Sequence, residues 1–234
     1  MPPRRRRPPR REQSGALAGS VGRFLDALGL PPEVRHGDDL DKTPERVAEA
    51  WASDLLDGYR HDPAEILGES MPSTGRGLVA VTGIDFHSVC PHHLLPSRGL
   101  AHVAYVPGGR VVGFGQLARL VDALAHRLVL EEDLARQVAE ALMVHAGARG
   151  AACVLEAEQM CLSVRGERRP RARAHAQFFA GVMAEDGALA RRFLAAVARG
   201  VPAGAPARAP AKAPAKARAS GARRRGARSP RGAP

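Results

Sequence analysis

The spacing of apolar residues changes once along the chain, from a helical period to the short runs typical of strands. Before residue 60, two segments carry apolar residues every three or four positions, which predicts two amphipathic helices. These positions are Val21, Phe24, Leu25 and Leu28 in the first segment, and Val47, Ala50, Trp51, Leu55 and Leu56 in the second. Thr43 is expected to cap the free amides at the start of the second helix. Pro44 suits the first turn of that helix. Residues 60–76 are predicted to form a loop.

From Gly77 onward, short apolar runs predict strands. Strands are expected over residues 78–86 and 100–106, and a hairpin turn at 107–109 leads into Val111 and Val112. Two amphipathic helices follow, marked by Leu117, Leu120, Val121 and Leu124, and by Leu134, Val138, Ala141, Leu142 and Val144. Further strands are expected over 151–155 and 162–164, and a last helix over 185–199. The stretch around Phe178 is too irregular to assign.

This order of elements predicts an α+β fold, with an antiparallel sheet, two helices packed on one face of it, and further helices before it. Strands at the edges of such a sheet invite assembly into a larger ring. We expect four regions: a disordered basic tail (1–13), a helical region (14–72), a sheet-containing domain (73–200) and a second disordered tail rich in Ala, Pro, Arg and Lys (201–234).

Charge separates the tails from the rest of the chain. The 234 residues carry a formal net charge of +11, but residues 1–12 hold six Arg and one Glu, and residues 201–234 hold seven Arg, two Lys and no acid. The remainder has 20 basic and 23 acidic residues and is mildly acidic. The tails therefore suit weak, salt-sensitive binding to a polyanion, or they are simply solvated.

Composition also bears on the compartment. No stretch approaches the roughly 20 apolar residues of a membrane span, and the arginines near the N-terminus are not followed by an apolar segment of signal-peptide length. The three cysteines, Cys90, Cys153 and Cys161, form no disulfide framework. These features predict a cytosolic protein.

The candidate chemistry centres on Cys90-Pro91-His92-His93. A thiolate and an imidazole separated by two residues can face one metal ion across a tight turn, and zinc accepts such mixed ligands. Cys161 is the obvious third donor, and three protein ligands with one open position are typical of catalytic zinc. The alternative is a buried thiol beside two surface histidines.

These residues resemble one family, type I GTP cyclohydrolase of the tunnelling fold. The resemblance lies in the Cys-x-His-His motif, a Gly and an Arg ahead of a helix that begins with Glu, and a Glu-Ala-x-x-x-Cys segment followed by Arg-Gly, over roughly residues 40–185. It implies a zinc ion bound by Cys90, His93 and Cys161, with water as fourth ligand. It further implies attack on C8 of the guanine ring of GTP, release of formate and formation of 7,8-dihydroneopterin triphosphate.

The resemblance also assigns expected roles to single residues. His92 matches an acid/base histidine, and an imidazole has a suitable pKa for proton transfer near neutrality. Glu132 matches the carboxylate that accepts hydrogen bonds from guanine, Arg119 and Arg165 match arginines that bind triphosphate, and Arg46 resembles one that reaches in from a neighbouring subunit. The implied assembly is a decamer of two stacked pentamers.

Several motif positions depart from the family pattern. Gln159 stands where the family has a second catalytic histidine, and an amide cannot shuttle a proton near neutral pH. Gly115-Gln116 replaces Ser-Lys, which removes a cation that would face triphosphate, and Pro91 replaces a Glu. A divergent enzyme could therefore stop after ring opening or act on another purine nucleotide. The rival classes are a non-catalytic zinc- and purine-binding regulator and an assembly that binds polyanions through its tails.

Overall fold

The computed structural model describes residues 10–200, with side chains from residue 14. The predicted basic tails lie outside these residues, except that the first helix begins at Arg10. No helix in the described part of the chain is long and apolar enough to cross a membrane.

The segment ahead of the sheet consists of helices joined by short links. They are α1 (Arg10–Ala27), α2 (Pro32–Arg35), α3 (Asp38–Asp41), α4 (Thr43–Ala50), a π-helical turn (Trp51–Leu55), a 3-10 turn (Asp57–Arg60) and α5 (Pro63–Gly68). The expected cap at Thr43 is wrong: Lys42 precedes the helix, and the Thr43 hydroxyl donates to the carbonyl of Asp39 at 3.3 Å. The predicted loop over 60–76 is also wrong in part, because it contains α5, which Asp62 caps by accepting from the Ala64 amide.

A four-stranded antiparallel sheet forms the centre of the molecule. Its strands are β2 (Val79–Val89), β3 (Pro96–Val106), β5 (Gly150–Gln159) and β6 (Ala174–Gly181), in the order β2-β3-β5-β6. Two short strands, β1 (Met71–Pro72) and β4 (Arg110–Val111), pair with each other, so the predicted hairpin partner of Val111 is β1 rather than β3. The α+β class and the antiparallel sheet are confirmed.

Helices cover both faces of this sheet. The two predicted helices, α6 (Phe114–Ala125) and α7 (Glu131–His145), pack on the face that carries Val103, Cys153 and Leu155. A last helix, α10 (Gly187–Gly200), brings Phe193 and Val197 against the opposite face, where Ala104 and Val154 lie. Alternation along each strand supplies the two apolar faces.

The chain between β5 and β6 differs most from expectation. Residues 162–164 were predicted as a strand, but the short helix α8 (Met160–Ser163) follows β5 directly, and a loop leads to β6. The fourth strand is β6, which contains the unassigned Phe178. A short helix, α9 (Val182–Glu185), connects β6 to α10.

Candidate metal centre and active site

The turn between β2 and β3 positions the first two donors. The Cys90 amide donates to the carbonyl of Leu95, and the Leu94 amide donates back to the carbonyl of Cys90, both at 2.9 Å. Leu94 adopts φ 54°, a left-handed conformation that a non-glycine residue rarely takes. These bonds close a tight turn in which Sγ of Cys90 lies 3.8 Å from Nδ1 of His93.

Strand pairing delivers the third donor. Ser97 of β3 pairs with Gln159, the last residue of β5, and Cys161 lies two residues beyond in α8. Because β3 starts just after the turn at Cys90, the β3–β5 register places Cys161 beside that turn. The structure therefore brings together Cys90, His93 and Cys161, whose donor atoms all lie within 4.8 Å of one another.

The donor set fits a zinc ion. Tetrahedral bonds of about 2.3 Å to sulfur and 2.0–2.1 Å to nitrogen place a sulfur and a nitrogen ligand about 3.5 Å apart. The 3.8 Å between Cys90 and His93 is close to that separation. Two thiols and one imidazole also form a donor set that binds zinc in preference to magnesium or calcium. Three protein donors match the pattern of a catalytic site with an open position.

Burial raises the pKa of the Cys161 thiol, and the neighbouring Cys90 thiol raises it further. The thiol donates to Oε1 of Gln159 across 3.7 Å, so Gln159 contacts a donor residue of the centre. A metal ion that binds here must displace this proton, which makes its affinity depend on pH.

Two further predicted site residues, Arg165 and His92, are exposed and lie beside the three donors. Nη1 of Arg165 lies 2.6 Å from Nε2 of His93, which places this predicted phosphate ligand directly at the metal centre. His92 is exposed, and its ring lies edge-on to that of His93 with 6.2 Å between centroids. The imidazole of His92 is thus open to solvent beside the three donors.

Three further predicted residues lie apart from the metal centre within one chain. Arg46 on α4, Arg119 on α6 and Glu132 on α7 are all exposed. Arg119 lies 3.9 Å from a carboxylate oxygen of Glu69. Within residues 14–200 of one chain, none of the three forms a hydrogen bond or ion pair with Cys90, His93 or Cys161.

Glu131 is a candidate functional residue that sequence reasoning missed. It begins α7 and is only 4% exposed, and neither carboxylate oxygen has a hydrogen-bond partner within the described residues. Burial, with a smaller effect of Glu132, raises its pKa to about 7. The signal was the helical period: Leu134, Ala135 and Val138 lie three, four and seven positions after Glu131, on the buried face.

Comparison with known proteins decides the family. The chain matches the family GTP cyclohydrolase I over residues 18–198. It belongs to that family. The GTP cyclohydrolase 1 of Chromobacterium violaceum is 43% identical over 186 residues, which cover 80% of this chain and 89% of that protein. The GTP cyclohydrolase 1 of Ralstonia nicotianae is 44% identical over 178 residues, covering 76% and 84%.

Membership of the GTP cyclohydrolase I family confirms the resemblance identified from the motifs, and it places the protein among the hydrolases. It also agrees with the tunnelling fold expected from the sequence. Among solved structures, the chain is similar to an archaeosine synthase QueF-Like in its apo form, with a TM-score of 0.37 and 18% identity over 47% of this chain and 96% of that one.

Proposed function

We propose that this protein is a zinc-dependent GTP cyclohydrolase I: it opens the imidazole ring of the guanine of GTP, releases formate and forms 7,8-dihydroneopterin triphosphate. The observation that carries the proposal is the convergence of Cys90, His93 and Cys161 in a chain of this family. The family supplies the substrate, and the donor set supplies the site for the metal.

Zinc held by these three residues would lower the pKa of a bound water from 15.7 to about 7 and so provide a nucleophile at neutral pH. His92 lies beside the centre with its ring exposed, and it would move protons to and from the purine ring. Its neighbour His93 is one of the three residues that would hold the zinc, so it is not free for that role.

The nucleotide would be held by charged groups around the centre. A carboxylate matches the two N–H donors on the guanine edge, and Glu132 would accept them. Arg165 and Arg119 would bind the triphosphate, since guanidinium groups suit bidentate phosphate contacts. Because Arg46, Arg119 and Glu132 do not contact the metal centre of their own chain, we propose that they complete the site of a neighbouring subunit in a homodecamer or other ring.

A second candidate is ring opening without the later steps. Gln159 occupies the place of a second catalytic histidine, and its Oε1 accepts from the Cys161 thiol. An amide so placed can orient a group by hydrogen bonding but cannot carry a proton between steps. The expected consequence is a slow second half of the reaction, and formate would then accumulate ahead of the pterin.

The test is to incubate zinc-loaded protein with GTP and to follow formate together with neopterin fluorescence after oxidation. Equal amounts of formate and pterin support the full reaction. Formate without pterin supports ring opening alone. Tight binding of GTP with neither product would support a regulator, and it would overturn the enzymatic proposal if other purine nucleotides also gave no product.

A further inference from the structure

A loop of concentrated positive charge follows the metal centre. Residues 164–173 connect α8 to β6 and contain five Arg and one Glu. The Arg169 amide donates to the carbonyl of Leu162 at 3.0 Å, and the Arg168 amide donates to the carbonyl of Arg165 at 3.2 Å. This basic loop is thus folded back on the short helix that carries Cys161, and its first arginine, Arg165, contacts His93 of the metal centre.

Ion pairs within the fold use some of these arginines but not all of them. Arg173 and Arg98 lie 3.9 and 3.3 Å from the same carboxylate oxygen of Glu158. Arg169 lies 3.6 Å from the Glu167 carboxylate. Arg168 and Arg171 are exposed, and within the described residues their guanidinium groups form no hydrogen bond or ion pair.

The backbone of the basic loop is held in an uncommon conformation. Arg168 adopts φ 50°, and Gly166 adopts φ 56°. A left-handed conformation costs a residue with a side chain about 1 kcal/mol or more and persists where the surroundings enforce it, often at functional sites. The bonds to Leu162 and Arg165 supply that enforcement.

Gln116 stands where the resemblance to the family implies a lysine that faces phosphate, and in this chain its side chain is bonded within the fold. Gln116 is buried; its Nε2 donates to the Ile66 carbonyl and its Oε1 accepts from the Gly113 amide, each at 2.8 Å. Both ends of the side chain therefore hold α5 to the start of α6. Gln116 is therefore committed to the fold and contributes no positive charge to phosphate binding.

We infer that Arg168 and Arg171 bind phosphates of the nucleotide substrate, extending the anion site that begins at Arg165. This inference rests on the proposed function, because it takes the substrate to be a nucleoside triphosphate. Exposed guanidinium groups without protein partners, in a loop bonded back to the short helix of Cys161, can form charge-assisted hydrogen bonds to phosphate oxygens. A free base or nucleoside would gain nothing from them.

The experiment measures binding of inorganic triphosphate by calorimetry, in excess magnesium and with the zinc content of the protein checked before and after. The double variant Arg168→Gln, Arg171→Gln is compared with the double variant Arg192→Gln, Arg199→Gln, which removes the same charge from exposed positions on α10. We expect the loop variant to bind triphosphate at least about tenfold more weakly. The α10 variant should change affinity less than about twofold.

Equal weakening in the two double variants would overturn the inference, because net charge would then explain the loss. Unchanged binding by the loop variant would overturn it as well. The inference would also be overturned if the wild-type protein did not bind triphosphate but bound a single-stranded oligonucleotide through this loop. Formate release from GTP by the wild-type protein is measured separately, so a failure of the proposed function is distinguished from a failure of the loop to bind phosphate.

Discussion

The guanidinium of Arg165 donates to Nε2 of His93 across 2.6 Å. An arginine can only donate, so this nitrogen accepts, and the single proton of the neutral ring lies on Nδ1, facing the sulfur of Cys90 at 3.8 Å. A metal ion bound through Nδ1 would require that proton to leave and Arg165 to turn away from the ring. Metal binding and the availability of Arg165 for phosphate are therefore linked through one imidazole.

Replacement of Arg165 should separate substrate binding from metal binding. In Arg165→Gln, we expect a zinc content no lower than that of the wild-type protein, because the competing contact with His93 is gone. We also expect a KM for GTP at least about tenfold higher, since charge-assisted hydrogen bonds contribute about 1.5–3 kcal/mol. Steady-state kinetics and metal analysis check the two expectations. The exposed Arg192→Gln serves as control. An unchanged KM would contradict the assigned role.

Removal of one sulfur donor should abolish the metal site. In Cys161→Ala, we expect the zinc affinity to fall at least about 10–100-fold and activity to be lost with the zinc. Changes to residues that only hydrogen-bond to a metal ligand already cost this much affinity. The control is Cys153→Ala, because Cys153 is fully buried in the sheet and lies outside the donor group. The zinc content of both variants is measured after dialysis against a weak chelator. Retention of zinc by Cys161→Ala would show that the donors lie elsewhere.

A histidine at position 159 should restore proton transfer. General acid/base groups contribute about 10²–10⁴-fold to a rate. We therefore expect Gln159→His to raise the ratio of pterin to formate, with a gain of at least about tenfold in the rate of pterin formation. Gln159→Ala controls for loss of the contact with Cys161 and should bring no gain. A ratio already equal to one in the wild-type protein would leave nothing for the histidine to restore and would refute the argument.

The buried carboxyl of Glu131 should make the folded state less stable as the pH rises. Its pKa is raised from 4.5 to about 7 by burial and by Glu132. Between these values the unfolded chain releases a proton that the folded chain retains, so the free energy of unfolding falls with rising pH and then levels off above pH 7. Glu131→Gln should remove this loss, a gain of up to about 3 kcal/mol at pH 8 at 1.36 kcal/mol per pKa unit.

Urea unfolding of Glu131→Gln at pH 5 and pH 8 measures this difference. The exposed Glu49→Gln is the matched control and should follow the wild-type protein. If the wild-type stability were equal at the two pH values, a ligand or neighbouring subunit would already satisfy the carboxylate.

His102 should destabilise the fold in acid. It is fully buried in β3, its Nδ1 accepts from the Gly83 amide at 3.3 Å, and burial lowers its pKa below 6.5 despite the charge of Glu156. The unfolded chain binds a proton near pH 6.5 that the folded chain resists, so stability decreases as the pH drops below that value. His102→Gln should flatten the curve by up to about 1.36 kcal/mol per pH unit, whereas the exposed His145→Gln should leave it unchanged.

Sequence patterns predicted the long elements well because burial on one face imposes a period. The helices α6 and α7 and the strands β2, β3 and β5 all carry enough apolar residues for that period to show. The fourth strand was missed, since Ala174, Ala176 and Ala180 have low strand propensity and only pairing with β5 fixes their conformation. Conversely, Leu162-Ser163-Val164 looked like a strand, but a run of three residues does not distinguish strand from helix.

Some residues of the candidate site could be predicted from the sequence, and others could not. Residue type and spacing pointed to Cys90, His93 and Cys161, because metal ligands are few and chemically distinctive. Spacing could not show that Arg165 contacts His93, since this contact depends on tertiary packing, whereas the helical period did place Glu131 on the buried face of α7.

The pairing of Ser97 with Gln159 links the metal centre to the alignment of the whole sheet. A slip of one residue between β3 and β5 would carry Cys161 about 3.3 Å along the strand and turn the preceding side chains to the opposite face. A misaligned sheet would have no complete donor set. The zinc content of the purified protein would therefore report whether β3 and β5 are correctly aligned, and it can be measured before any assay of turnover.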